Sequence, residues 1–389
     1  MNAHPHAGLG RAFITIWLVS LATYLSFQLL TASLPLYAVG LGASDASVGM
    51  LSGLIATVAL IARPMVGWWV DRGGSAWAMI SGTGLFTVAA VGYWMASSVA
   101  VILLFRAVNG LGIALFHTAG QTVVANLAPV ERRGEALSLF SISHSLSQGL
   151  GPPIGVAVVQ AAGYPSLFAI CVTIGLIGVV LALPLRTLRT APASLTRHRF
   201  FHRGVLLPGL LMTGLTVTFG ATVGLLAVHA SRRGLPNPGL VFTAYAAGIF
   251  LAQSVAGRIS DRRGRMAVIA PGMILAALGM WATASAGGWW LIAAGVLAGM
   301  GLGSSQPSLF ALAADMVPVE ERGSAMATMG VFLEIGIGTG AIGGGLVGRA
   351  FGLGVTYGLA GVPPALAAMV ALGRLRAQRT QTRMVLDSR

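Results

Sequence analysis

Apolar stretches long enough to cross a lipid bilayer recur along the whole chain. Its 389 residues are 56% hydrophobic and only 9% charged, and the mean hydropathy is +0.83. A soluble domain usually carries about 25% charged residues, so this chain has too little charge to cover a surface that faces water. A helix of about 20 apolar residues crosses the hydrocarbon core of a bilayer. The composition therefore predicts an all-α integral membrane protein.

Turns rich in glycine, proline and polar residues divide the chain into twelve predicted spans. We place these spans at 13–38, 47–70, 76–96, 99–127, 135–161, 165–185, 205–230, 239–258, 266–286, 289–315, 323–348 and 353–373. The only long polar segment between spans lies at 186–204. We therefore expect two pseudo-symmetric six-helix bundles at 1–185 and 205–373, with a cytoplasmic linker at 186–204 and a cytoplasmic tail at 374–389.

The arginine distribution predicts the orientation of the spans. All 24 basic residues are arginine, and most of them fall in turns on one predicted side. The opposite side holds only Arg232, Arg233 and Arg349. Because cytoplasmic loops carry the excess of positive charge, both termini are expected in the cytoplasm. The net charge of +14 does not indicate nucleic-acid binding, because the arginines do not form one basic face.

Two short motifs occur twice along the chain, which indicates a duplicated bundle. The pattern G-x-x-x-D-R-x-G occurs at 67–74 and at 257–264, and the segment 129–134 is matched by 318–323. An aspartate near a helix end can pair with arginine or with the amides of a neighbouring helix. We expect these turns to gate the bundle and the first glycine of each copy to let two helices approach. The predicted gating residues are Gly67, Asp71, Arg72, Gly74, Gly257, Asp261, Arg262, Gly264, Arg132, Arg133 and Arg322.

With the stretches Leu103–Gly112 and Gly151–Gly155, these turns resemble the motifs of the major facilitator superfamily over nearly the whole chain. The resemblance implies that Arg106 takes part in proton transfer. It also implies proton-coupled antiport, especially of drugs, because of the G-P-x-x-G pattern at 151–155. One departure is that Ser75 and Ala76 follow the first turn, where the family usually has basic residues, whereas the second copy keeps Arg265.

Three ionisable residues inside predicted spans are candidates for proton coupling, namely Arg106, His144 and Glu334. A guanidinium in mid-membrane costs at least about 2.5–3.5 kcal/mol, so it must face a partner or a water-filled cavity. Glu334 is the only carboxylate deep within a predicted span, and burial favours its protonated form. His144 belongs to a residue type that titrates near physiological pH. The alternative for Arg106 is a structural hydrogen bond to backbone carbonyls, and for His144 a hydrogen-bonded packing role. For Glu334 the alternatives are a hydrogen bond between helices or a pairing with Arg106.

Polar and aromatic side chains at helical spacing predict a central substrate cavity. Each of these residues alone would also serve as a contact between helices. The predicted cavity residues are Tyr24, Gln28, Asn109, His117, Gln148, Tyr245, Gln253 and Gln306. We assign Gly151, Pro152 and Gly155 to helix packing, and expect the glycine-rich faces of the fifth and eleventh spans to let the two halves cross closely.

These observations predict a transporter, not an enzyme, that exports a small amphipathic or cationic molecule in exchange for protons. We expect a monomer in the bacterial cytoplasmic membrane, driven by the proton gradient, with no cofactor, metal site or nucleic-acid partner. The alternatives are export of a natural metabolite, such as a sugar, an amino-acid derivative or a metal-chelating molecule, and solute–proton symport. A membrane receptor, scramblase or enzyme on the same bundle is the alternative from a different class.

Overall fold

The computed structural model describes residues 11–127, 133–187, 202–318 and 321–387, and within these ranges the regular structure is helical. Short π-helical turns join α2 to α3 at Val70–Gly74 and α10 to α11 at Thr339–Gly343. The helices are α1 Arg11–Gly40, α2 Asp45–Trp69, α3 Ser75–Trp94, α4 Val99–Leu127, α5 Arg133–Ala182, α6 Leu206–Arg232, α7 Gly239–Arg263, α8 Met266–Ser285, α9 Trp290–Asp315, α10 Arg322–Gly338, α11 Gly344–Phe351, α12 Leu353–Ala360 and α13 Val362–Asp387.

Ten helices in the described ranges have the length and apolar composition needed to cross a membrane. One of them, Leu139–Arg186, is interrupted at Gly163, whose φ of 78° and ψ of 172° are not helical. Helix α9 is 26 residues long but is not among the ten, because its serines and Gln306 lower its hydropathy. The all-α membrane architecture is confirmed, and the count of twelve spans stays a prediction.

Large apolar side chains are exposed along the helices, as a protein surrounded by lipid requires. Ile61 is 69% exposed, Met65 76% and Phe250 74%. A soluble monomer rarely exposes large contiguous apolar patches. The predicted integral membrane character therefore agrees with the surface of the protein.

The chain forms two compact units. The N-terminal unit comprises the described residues within Met1–Gly42 and Thr57–Thr196, and the C-terminal unit those within Ala43–Ala56 and Arg197–Arg389. In the N-terminal unit α1 packs against α5, and α3 packs against α4 and α5. In the C-terminal unit α6 packs against α10, α7 against α9, and α8 against α9 and α13.

Glycines of α5 bring this helix against α1. A Cβ atom at Gly151 would overlap Gln28, and one at Gly155 would overlap the backbone of Leu29. Pro152 is buried between these glycines. The packing role predicted for this segment therefore has a defined partner, α1 of the same unit, and the expected crossing of the two halves stays a prediction.

The equivalent glycines later in the chain also pack within their own unit. A Cβ atom at Gly340 would overlap the backbone of Val217 in α6, and one at Gly344 would approach Leu225 of α6 and Thr356 of α12. Small residues at such crossings let helix backbones approach closely, which adds van der Waals contact where lipid provides no hydrophobic driving force. The two glycine-rich segments thus serve the same structural purpose in both units.

Helix α2 is divided between the units. Its first part, Asp45–Ala56, clusters with the C-terminal unit, and the rest clusters with the N-terminal unit. Cβ atoms at Gly49 and Gly53 would overlap Ala341, Gly345 and Ile342, so the G-x-x-x-G spacing of α2 fits closely against the π-helical turn and α11. The proposed domain boundary at 185–205 does not account for this segment.

We predict that Gly155→Ala destabilises the protein by about 1–3 kcal/mol, because the added methyl group overpacks the contact with Leu29. Gly84→Ala is the matched control, since it also lies in a helix of the N-terminal unit but has no atom within 4 Å of an added Cβ. That control should be neutral or stabilising by up to about 1 kcal/mol. Unfolding curves of the purified variants measure the difference, and equal curves for the two variants would contradict the packing described here.

Candidate functional site

Arg106 is buried in the N-terminal unit and forms no ion pair with another described residue of that unit. Its side chain is 3% exposed, and its guanidinium carbon lies 5.9 Å from the ring centroid of Phe27 and 5.7 Å from that of Tyr93. Helices α1, α3 and α4 supply these three residues. The Nε atom has no hydrogen-bond partner among the described residues. The aromatic faces attract the cation, but they do not accept its hydrogen bonds as an oxygen would.

Asn109 follows Arg106 by one helical turn and is also incompletely satisfied. It is 2% exposed, and its Oδ1 atom has no hydrogen-bond partner among the described residues. Residues three apart on a helix are neighbours on one face. The two side chains therefore place an unpaired donor and an unpaired acceptor close together in the interior.

His144 of α5 lies against Tyr24 of α1, which in turn contacts α4. The ring of Tyr24 meets the His144 ring edge-on at 4.7 Å between centroids, and it meets Phe116 at 5.3 Å. Gln28, one turn after Tyr24, is buried and accepts a hydrogen bond from Thr31 at 2.6 Å. The structure thus brings together the predicted residues Tyr24 and His144, while Gln28 has a local partner.

Two other predicted cavity residues of this unit lie in less enclosed positions. His117 of α4 is exposed, and Gln148 of α5 is half-buried. They lie on the same helices as Arg106 and His144, and both are less buried than Arg106. Their assignment to a substrate cavity stays a prediction.

Glu334 is buried in α10, and the backbone beside it is tied to α6. Glu334 is only 8% exposed. Thr213 of α6 donates a hydrogen bond to the carbonyl oxygen of Phe332 at 2.9 Å. The Thr216 hydroxyl is shared between the carbonyl oxygen of Met212 in its own helix, at 2.9 Å, and that of Leu333 in α10, at 3.1 Å. The two threonines were not predicted, although both are polar residues in the seventh predicted span. They fix the position of the helical turn that carries Glu334.

The remaining predicted cavity residues belong to α7 and α9 of the C-terminal unit. Tyr245 is buried near the ring of Phe219, with 6.2 Å between centroids, and its hydroxyl has no hydrogen-bond partner among the described residues. Gln306 is half-buried, whereas Gln253 is exposed. Only Tyr245 of this group therefore offers an unpaired polar atom in the interior.

The second charged turn is organised around Arg265. Its Nε atom donates to Asp315 at 2.8 Å, its Nη1 atom donates to Ser260 at 3.2 Å, and it also pairs with Asp261. The hydrogen bonds that Arg265 donates to the carboxylates of Asp315 and Asp261 raise its pKa above the ordinary value. Gly264 adopts a φ of +88°, which favours glycine. The end of α7 is thereby joined to the end of α9, and Asp315 is a partner that the sequence did not predict.

The first charged turn has a different structure from the second, in addition to the sequence departure at Ser75 and Ala76. Val70–Gly74 is a π-helical turn that continues α2 into α3. Within it, the Arg72 guanidinium lies 3.8 Å from the centroid of the Trp68 ring. Gly74 is required by close packing, because a Cβ atom there would overlap the Trp69 ring. The side chain of Asp71 lies outside the described residues.

The first glycines of the two motifs do not bring helices together. A Cβ atom at either Gly67 or Gly257 would have no neighbour within 4 Å, which contradicts the prediction of close helix approach. Both positions are on a surface, so the pattern of the sequence could not show whether another helix covers them. Arg262 and Arg322 are exposed, Arg132 lies outside the described residues, and only the backbone of Arg133 is described.

A bidentate ion pair that the sequence did not predict holds the start of α2 to the end of α6. Arg232 donates from Nη1 to Asp45 Oδ2 at 2.8 Å and from Nη2 to Oδ1 at 2.7 Å. Both residues belong to the C-terminal unit. Parallel hydrogen bonds of this kind fix geometry as well as charge. The pair lies on the predicted outer side, opposite the side that holds the charged turns.

An apolar groove of about 670 Å³ lies in the N-terminal unit, between α2 and α4. It includes none of the predicted cavity or proton-coupling residues. Its lining suits contact with lipid chains, and nothing in the structure shows what covers it. The lining residues are Ala62, Pro64, Met65, Val66, Trp68, Trp69, Leu111 and Leu115.

Comparison with known proteins gives consistent similarities over the full length. The family model of the Major Facilitator Superfamily matches residues 16–240 and 234–385. An uncharacterized MFS-type transporter of Methanocaldococcus jannaschii is 22% identical over 368 residues, which cover 90% of this chain and 94% of that protein. A putative multidrug resistance protein, MdtD, of Yersinia enterocolitica is 26% identical over 215 residues, which cover 54% of this chain and 45% of that protein.

One similar solved structure is a bacterial homologue of the human lysosomal transporter Spinster in an inward-facing, unoccupied conformation. Its TM-score is 0.75 at 14% identity, and the match covers 96% of this chain and 98% of that one. At this level of identity the similarity shows the fold alone.

We predict a coupling energy of about 0.5–1 kcal/mol between Asp45 and Arg232, reduced at high salt, because Arg232 is about half exposed to solvent. The measurement is a double-mutant cycle of Asp45→Asn and Arg232→Gln on the unfolding free energy. The neighbouring Arg233 donates to the Ala284 carbonyl at 2.9 Å and provides the control. A specific ion pair would be contradicted if the coupling energy between Asp45→Asn and Arg233→Gln were as large as that between Asp45→Asn and Arg232→Gln.

We predict that Thr213→Val lowers the unfolding free energy by about 0.6 kcal/mol, a typical value for one hydrogen bond between membrane helices. Valine keeps the shape of threonine but cannot donate to the Phe332 carbonyl of α10. Thr222→Val is the control, because Thr222 donates to Thr218 of its own helix at 2.8 Å. The prediction fails if the control variant is destabilised to the same extent.

Proposed function

Because the chain belongs to the Major Facilitator Superfamily and is a multi-pass membrane transporter, we propose that it is a proton-coupled antiporter that exports a small amphipathic compound. Transport would proceed by alternating access of a central site, without a cofactor and without an enzymatic reaction. The driving force would be the proton gradient. The protein would act as a monomer in the bacterial cytoplasmic membrane, with both termini in the cytoplasm, as the arginine distribution favours.

The observation that carries the proposal is the burial of Glu334 in the middle of a membrane helix. A carboxyl group in such surroundings is costly to keep charged, so it binds or releases a proton as its surroundings change. The other described acidic residues lie in turns or near helix ends. Thr213 and Thr216 hold the backbone beside Glu334. Proton binding at this one position can therefore be linked to movement of α10 against α6.

Two residues of the N-terminal unit, Arg106 and His144, would take part in proton coupling together with Glu334 of the C-terminal unit. Arg106 carries a charge in the interior with its Nε atom unpaired among the described residues, and His144 contacts Tyr24 of α1. Groups of this kind inside a membrane mark ion or substrate pathways. We assign proton coupling to Glu334, Arg106 and His144, with Tyr24, Asn109 and Tyr245 facing the transported molecule.

The charged turns would form a cytoplasmic gate. Arg265 joins Asp261 to Asp315 in the second copy, and breaking these contacts would free the end of α7 from the end of α9. The first copy contributes Arg72 on a π-helical turn, a local structure that often occurs at functional sites. The gate would therefore consist of two unequal elements.

Export rather than uptake is favoured by two features. The Gly151–Gly155 stretch resembles the pattern associated with antiporters, and its glycines join α1 to α5. The similarity to a putative multidrug resistance protein covers just over half of this chain. Both features support an exporter of amphipathic compounds.

We predict that Glu334→Gln abolishes transport driven by a pH gradient while substrate exchange without a gradient persists, because glutamine cannot carry the proton. The assay uses proteoliposomes and a panel of fluorescent amphiphiles with positive, negative and no charge. Glu321→Gln is the control, since Glu321 is exposed and pairs with His202 at 2.7 Å at the start of α10. Undiminished pH-driven transport in Glu334→Gln, or no gradient-dependent transport of any amphiphile by the wild type, would overturn the proposal.

A further inference from the structure

The helices of the N-terminal unit carry basic residues, but no acidic ones, away from their ends. Away from helix ends, its described spans hold Arg63, Arg106, His117 and His144. The acidic residues of this unit are confined to the charged turns or their borders. They are Asp71, in the π-helical turn, Glu135, in the first turn of α5, and Glu131, outside the described residues. The spans of this unit therefore provide no carboxylate in the interior to neutralise a buried cation.

Arg106 is the group most affected by this imbalance. It makes no hydrogen bond or ion pair to a described residue, and its Nε atom is buried and unpaired. Leaving a charged donor unpaired in the interior costs free energy that a structural arginine would avoid by binding a carbonyl or carboxylate. The rings of Phe27 and Tyr93 hold the guanidinium by their faces and leave its donors free. This arrangement is suited to a ligand that supplies acceptor oxygens.

Asn109 adds a second requirement on the same ligand. Its unpaired Oδ1 atom accepts hydrogen bonds and lies one turn from Arg106 on α4. A ligand that satisfies both residues has an anionic oxygen for the guanidinium and a hydroxyl or amide donor close to it. A cationic ligand would satisfy neither the charge nor the free donors of Arg106.

We propose that Arg106 and Asn109 form a binding subsite for an oxyanion, such as a carboxylate or phosphate with a neighbouring hydroxyl or amide, on the transported molecule. This inference rests on the proposed transport function and defines its substrate class. The transported compound is then an anionic amphiphile, with its apolar part beside the aromatic side chains of α1, α3 and α4. The cationic compound that the sequence allowed does not match this charge distribution.

A series of probes with nearly equal shape and different charge tests the subsite. Benzoate, benzamide and benzamidine carry negative, zero and positive charge, and salicylate adds a hydroxyl donor beside the carboxylate. Each is added at millimolar concentration to the purified full-length protein in detergent, and the unfolding temperature is recorded. A ligand that binds the folded state raises this temperature in a saturable manner. We expect saturable shifts with benzoate and salicylate, the larger with salicylate, and none with benzamide or benzamidine.

Variants separate a ligand-binding arginine from a structural one. Arg106→Met should weaken benzoate binding at least about tenfold, while the unfolding temperature without ligand stays equal or rises, because an unpaired buried charge is removed. A structural arginine would lower that temperature when replaced. Arg106→Lys keeps the charge and should bind benzoate with intermediate affinity. Asn109→Leu should remove the advantage of salicylate over benzoate. Arg349→Gln, at an exposed arginine of α11, is the control for loss of one charge.

Several results would overturn the subsite. They are equal shifts with all probes, a preference for benzamidine, no shift with either anion, or a marked loss of stability in both Arg106 variants. If Glu334 were the counter-ion, Glu334→Gln would destabilise the protein and Arg106→Met would cancel that effect, which also contradicts the proposal. Because binding is measured without a gradient, failure of the proton-coupled mechanism leaves this result unaffected, and the two proposals fail separately.

Discussion

The absence of water from the bilayer core is the constraint on which the rest of this structure depends. Every polar group in a span must be satisfied by the protein itself, and helices achieve this for the backbone. Hydroxyl groups follow the same rule, as when Thr83 donates to the carbonyl oxygen of Met79 at 3.1 Å. Against this background, the unpaired Nε of Arg106 and Oδ1 of Asn109 are exceptions. Such exceptions persist where a ligand, not the fold, completes the hydrogen bonds.

Close packing through small residues is the means by which these helices associate. In the N-terminal unit, Gly155 lets the backbone of α5 contact that of Leu29. In the C-terminal unit, Gly340 allows the same close contact with the backbone of Val217. Gly336 lets α10 approach α6 in the same way, so that Thr213 and Thr216 reach the carbonyl oxygens beside Glu334. The position of the buried carboxyl group therefore depends on glycine and threonine residues that have no ionisable group. Packing and proton chemistry are in this way properties of the same helix pair.

The sequence predicted the membrane helices well because hydropathy and turn residues are local signals. Gly163 marks the interruption of α5, and Gly264 marks a turn that requires positive φ. Contacts distant in sequence were not predictable in this way. Asp45 and Arg232 are 187 positions apart, and no pattern in either segment indicates the other. The two copies of one motif also folded differently, since 67–74 continues a helix whereas 257–264 ends one. The tertiary contacts around each copy, which the motif itself does not contain, decide between these outcomes. The candidate residues Arg106 and Glu334 were predictable because charge inside an apolar span is rare.

The central claim is that the buried charge of Arg106 exists to bind the transported molecule. The most direct measurement is an experimental structure of the full-length protein with salicylate bound. The account predicts that a carboxylate oxygen lies within hydrogen-bonding distance of the Arg106 guanidinium, with the hydroxyl donating to Asn109. A structure in which the ligand binds elsewhere, while a carboxylate of the protein itself pairs with Arg106, would contradict it.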